Sequence, residues 1–237
     1  MKRIFPIAML PIMAATIMSC SDDLPEAEPA AITAAHAEKK SLAVGGTSHS
    51  LSAIGLAHNL LLDDCLSRNM PPPSTLADID ATVAVVMQAH GLAVPGCGGS
   101  GCTALVAGII SDPMSFHKST IAESGLSYVA AAYLTQFLQD FSLPAQGAEA
   151  QLELVRDALS DIADSPEFTA FDRDVLLTTM SIAEASVLYG KERKDKDWET
   201  SVGNIVAASR GALGQPELAL RLSLMAGIMQ HHNLQAH

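Results

Sequence analysis

"TIAESGLSYVAAAYLTQFLQDF", residues 120–141, is the stretch on which the fold class turns. Leu126, Val129, Tyr133, Phe137 and Phe141 recur at helical spacing, and Leu134 and Leu138 widen the stripe. Ser127, Thr135, Gln139 and Asp140 keep the opposite side polar. Thr120 followed by Glu123 reads as a capping box, so the pattern predicts one long helix from Thr120 that ends before Pro144 and Gly147. Outward from it the apolar period stays helical. Residues 48–66 put Leu51, Ile54, His58, Leu61 and Cys65 on one stripe. Thr75 with Asp78 caps a helix that runs to about His90, where Gly91 ends it. The run "ATVAVVMQ" is β-branched, but with no partner strand in sight helix is the better reading. "TALVAGII" gives a short helix, and residues 148–164 bury Leu152, Val155, Leu159 and Ile162. Ser165-Pro166 reads as the start of the next helix or helix pair, which reaches Tyr189 and stops at Gly190. "KERKDKDWET" is a charged connector, and helices over 201–213 and 216–232 complete an all-α, single bundle of about seven or eight helices.

In front of that bundle stands an address. Lys2 and Arg3, an apolar run over residues 4–17, and then Ile17-Met18-Ser19-Cys20 resemble the signal peptide and lipobox of bacterial lipoproteins. The resemblance implies removal of residues 1–19 and acylation of Cys20. Residues 20–40, rich in Pro, Ala and Glu, read as a flexible tether, and residues 41–237 as the all-α domain. The acidic Asp22-Asp23 pair resembles the export signal of surface lipoproteins in the Bacteroidota, which points to the outer membrane, with the leaflet left open. Loss of Lys2 and Arg3 would take the net charge from −12 to −14. So acidic a chain disfavours nucleic acid as a partner, and anionic lipid would repel it; the acyl chains must hold the membrane. A single Trp makes stacking platforms for bases or sugars a poor expectation.

Several residues invite chemistry. "PGCGGSGCTALVAG", residues 95–108, has the glycines of a phosphate loop, but Cys102 stands where its lysine belongs and no strand precedes it. A Cys97–Cys102 disulfide fits the oxidising envelope and the short Gly/Ser spacer better. Redox work would ask for a two-residue spacer, and zinc for a second pair of ligands beyond the isolated His58 and His90. No metal and no cofactor is therefore expected. His58, Asn59 and Asp63 form a candidate polar cluster on the first helix, in which a carboxylate would tune or orient the imidazole. Cys65 completes a Cys–His–Asn/Asp set on paper, yet it lies two turns, about 10 Å, from His58 along one helix. It reads as a buried thiol. "DKDWE" begins like a calcium loop but lacks its glycine and its final glutamate. His231 and His232 fall at an end expected to fray.

"GLAHNLLLD" (Gly55–Asp63), "LLTTMSIAEASVLYG" (Leu176–Gly190) and "VGNIVAASRGALG" (Val202–Gly214) resemble uncharacterised helical lipoproteins of the Bacteroidota. Gly190 departs from the aromatic that follows the Tyr in that group. The resemblance covers about a third of the chain and implies location and a helical fold, with no activity attached. The leading expectation is a non-enzymatic binding or interaction protein, its partner an envelope protein or a small apolar ligand. An envelope hydrolase or thiol-dependent enzyme using His58, Asp63 and a cysteine is the alternative, and an accessory or immunity lipoprotein of a secretion system is a third.

Overall fold

Small residues on the central helices set how closely this molecule packs. A computed structural model describes residues 52–67, 75–99, 101–143, 147–192 and 200–235. Cys20, the signal and tether segments, most of the charged connector and His237 lie outside the described residues. Among the described residues there are nine helices and no strand: α1 (Ala53–Ser67), α2 (Leu76–Ala89), α3 (Gly101–Ser111), α4 (Pro113–Glu123), α5 (Tyr128–Phe141), α6 (Ala148–Asp164), α7 (Ala170–Glu192), α8 (Val202–Ala212) and α9 (Pro216–Gln235). None of them is long and apolar enough to cross a membrane.

Helices α7, α8 and α9 form the centre, each buried on nearly every side over its middle. α8 and α9 are joined by a short turn and run antiparallel, so that Ser201 at the start of α8 bonds Gln230 late in α9. Gly211 sits where a Cβ would lie 2.4 Å from the Ala219 backbone, so the turn closes only without a side chain there. α1 lies parallel to α7 in constant register. A Cβ on Gly55 would meet the Ser181 carbonyl at 2.9 Å, Asn59 bonds the Ala185 carbonyl, and Asp63 bonds Tyr189. Each pair is 126 residues apart and each step is four residues, one row of side chains on both helices.

The helix starts follow local chemistry. Thr75 and Asp78 form the expected capping box, Thr75 Oγ1 accepting from the Asp78 N–H at 3.2 Å, and "ATVAVVMQ" is helical. α3 and α6 occupy the segments their periodicity predicts.

Two starts differ from expectation. The long helix from Thr120 is instead two helices. Thr120 lies buried in the last turn of α4, residues 124–127 break the chain, and α5 begins at Tyr128 under a Ser127 cap that accepts from the Ala130 N–H at 3.2 Å. The break holds because Ser124 Oγ folds back to the Ile121 carbonyl while the Asp172 carboxylate takes the Ser127 N–H at 2.9 Å. The buried stripe of α5 is consequently Ala130, Leu134, Phe137, Leu138 and Phe141, with Val129 exposed and Tyr133 half-buried. α4 itself was marked by Asp112-Pro113, an N-cap followed by proline, Asp112 accepting from the Ser115 N–H at 3.0 Å.

Likewise α7 starts at Ala170, not at Ser165-Pro166. Thr169 and Asp172 exchange side-chain and backbone bonds there, and that reciprocal pair outcompetes a serine cap followed by proline. The helix then runs past Gly190 to Glu192. His231 is buried within α9 rather than on a frayed end.

Candidate functional site

A chain of polar side chains threads the centre of the bundle. His58, on the buried stripe of α1, is its first member. Asn59 Nδ2 donates to the Ala185 carbonyl at 2.9 Å, which turns its Oδ1 toward His58 Nδ1, 3.0 Å away. An amide oxygen only accepts, so the proton sits on Nδ1 and Nε2 is left as the acceptor. Nε2 faces Ser223 Oγ on α9 at 3.4 Å. Ser223 in turn donates to Asn204 Oδ1 on α8 in a short bond. Asn204 Nδ2 donates to Ser186 Oγ on α7 at 3.2 Å, and Thr200 Oγ1 reaches the same oxygen at 2.9 Å. Side chains of four helices thus meet in one buried polar cluster.

The order Ser223–His58–Asn59 is that of a nucleophile, a base and the group that orients it. The surroundings deny it a substrate. His58 and Ser223 have no exposed surface and Asn204 almost none. The single Ser223 proton is committed to Asn204. Burial pushes the His58 pKa down to about 4, against a smaller upward pull from Asn59, so the ring is neutral near pH 7. What this arrangement does is fix side-chain orientation between helices.

The other predicted residues are dispersed. Asp63 accepts from the Tyr189 hydroxyl at 2.9 Å on the seam of α1 with α7, one row beyond Asn59. His58 is oriented by Asn59 rather than by that carboxylate. Cys65 keeps its thiol, half-buried rather than fully buried. Cys97 and Cys102 are joined in a disulfide with their Cα atoms 5.0 Å apart, Gly98 and Gly101 taking the positive φ that the tight loop demands. His90 lies 3.3 Å from Asp64. Among the described residues no group of three His, Cys, Asp or Glu is placed to hold a metal ion.

Three features escaped the sequence. Arg221 on α9 donates twice to Asp80 Oδ1 on α2, at 2.9 and 2.6 Å, and once to the Pro95 carbonyl, anchoring the loop that the disulfide closes. Asp172 is buried; burial alone would raise its pKa, but the bonds from Ser127 and Thr169 outweigh it and hold the carboxyl below its usual range. His117 is buried under α5, its Nε2–H donated to Thr135 Oγ1 at 2.9 Å, Nδ1 without a partner among the described residues, and its pKa lowered by burial to about 4. Thr135 is therefore part of an internal contact, not of the wet face. Asp172, three residues after Thr169, carried the pattern of a capping box, and α4 that of an Asp-Pro cap.

The outer side of α5 and α6 is different. A shallow trough of about 700 Å³ opens there to solvent. Val129, Tyr133 and Phe168 give it an apolar wall, with the two rings edge to face at 5.4 Å, and Asp161, Asp164 and Glu167 give it a carboxylate wall. No protein-family model matches the chain, and neither the curated proteins nor the solved structures hold a match to it.

Proposed function

We propose that the chain is a lipid-anchored protein of the bacterial outer membrane, related to the helical lipoproteins it resembles, that acts by binding a partner and not by catalysis. One observation carries the non-catalytic part. The Ser223–His58 pair is sealed among four helices, and the Ser223 proton that a base would take is given to Asn204 instead. The competing hydrolase needs an open nucleophile beside His58, but Cys97 is in a disulfide and Asp63 is engaged by Tyr189. The anchor rests on the order of charge, apolar run and Cys20 in the leader.

The test uses the full chain expressed in a Gram-negative host. An alkyne-tagged fatty acid should label the wild type and leave Cys20→Ser unlabelled and outside the membrane fraction. A fluorophosphonate, which reports an activated serine, should give no adduct. An adduct lost on Ser223→Ala would overturn the binding reading, and equal acylation of Cys20→Ser would overturn the anchor.

A further inference from the structure

The trough between α5 and α6 continues into an exposed apolar ledge. Tyr128, 88 % exposed, and Val129, 39 % exposed, open α5, and Val129 belongs to both ledge and trough. Phe171, 42 % exposed, lies against Gly125 just ahead of them, and the Asp172 bond to Ser127 fixes the starts of α5 and α7 side by side. An aromatic this exposed on a rigid helix start is a ready contact for another protein, since it brings large area at little entropic cost.

Charge selects the partner. Asp161, Asp164 and Glu167 line the same opening, and Arg173, the cation bonded to its wall, is held by the Ser165 carbonyl. Burial first, and then Asp161 and Asp157, push the Tyr133 pKa up to about 12. Anionic lipid and nucleic acid are repelled by such a wall. The trough is too open to enclose a small ligand on most of its surface, as a small-molecule site must. It suits a segment of polypeptide.

Deepening the binding reading above, on which it rests, we infer that this trough and ledge dock a basic segment of a partner protein, with Lys or Arg side chains against Asp161, Asp164 and Glu167 and an apolar residue beside Val129 and the Tyr133–Phe168 pair. Arg and Lys also stack favourably on the ring faces available there.

The experiment titrates the full chain in detergent with a short fluorescent peptide of alternating lysine and leucine, followed by anisotropy. Peptides with glutamate for lysine, or serine for leucine, serve as controls. Binding to the lysine–leucine peptide alone is expected. It should weaken about tenfold in Asp164→Asn/Glu167→Gln and in Tyr128→Ser/Val129→Ser, remain unchanged in Glu192→Gln/Glu217→Gln, and fall as salt rises. All six positions have at least partial exposure, and an unchanged melt will verify folding. No binding, or equal loss in the Glu192/Glu217 control, overturns the docking site. If the fluorophosphonate test above is also negative, that failure leaves the binding reading standing; a Ser223 adduct removes both.

Discussion

Two regions of this bundle carry most of its informative polar groups, and they handle them in opposite ways. Along the seam of α1, α7, α8 and α9, Asn59, Asn204 and Ser223 each donate to an acceptor on another helix, and His58, Ser186, Asn204 and Ser223 are buried. On the outer side of α5 and α6, carboxylates and aromatic rings stand beside one another facing solvent. Histidine, serine and asparagine in this order look like catalysis by residue type, but here they are buried and mutually oriented as part of the fold. The ordinary-looking Asp164, Glu167 and Tyr128 are the ones left facing solvent.

That contrast predicts unequal penalties. Asn204 bridges Ser223 and Ser186, so Asn204→Ala takes the acceptor from Ser223 and one of two donors from Ser186 and opens a small void; a loss of about 3 kcal/mol is expected, read as a lower urea midpoint at unchanged slope. A loss below about 1 kcal/mol would mean that water enters the seam.

Acid should act on the same region. The folded His58 pKa, about 4, lies below its unfolded value near 6.5. The unfolded chain therefore binds the proton first, and stability is complete above pH 6.5 and lost as pH falls toward 4. About 3 kcal/mol should disappear over that window on account of His58. His117, lowered to about 4 as well, adds its own loss. Denaturation curves across the window, compared with those of His58→Gln, separate the two.

The disulfide loop lies between the extremes, since one end is tied by Arg221. Cys97→Ser/Cys102→Ser should lower stability by about 2 kcal/mol, the chain-entropy value for so short a ring, measured by the urea midpoint. The smallest effect belongs to the trough. Asp164→Asn/Glu167→Gln should change stability by less than about 0.5 kcal/mol while weakening peptide binding. A larger loss there would erase the contrast between the two regions.

Much of the fold was legible because it is written locally. Thr75-Asp78, the limits of α6 and α8 and the Gly/Cys loop all depend on residues within one or two turns of one another. The break between α4 and α5 was not, because Thr120-Glu123 is a sound local cap that loses to Asp172, 45 residues away in sequence from the Ser127 N–H it takes. The true start of α7 has a local signal in Thr169 and Asp172, passed over for Ser165-Pro166, which also suits a helix start. For the seam, periodicity identified His58 as inward-facing, and the polar cluster was seen as Asn59 and Asp63. Ser223, Asn204 and Ser186 were out of reach, since a Ser or Asn on a small-residue helix carries no mark of which neighbour it will meet. The trough was invisible for a related reason: the expected stripe on α5 counted Val129 as core, and only the later start at Tyr128 turns it outward.

The most direct measurement is the ¹⁵N spectrum of the His58 ring across a pH titration of the folded chain. A ring that stays neutral with its proton on Nδ1 down to about pH 5, and exchanges slowly with water, is the result expected of a histidine sealed by Asn59 and Ser223. A midpoint near 6.5 with fast exchange, or a proton on Nε2 at neutral pH, would contradict the sealed seam and return Ser223 and His58 to the surface chemistry their order suggests.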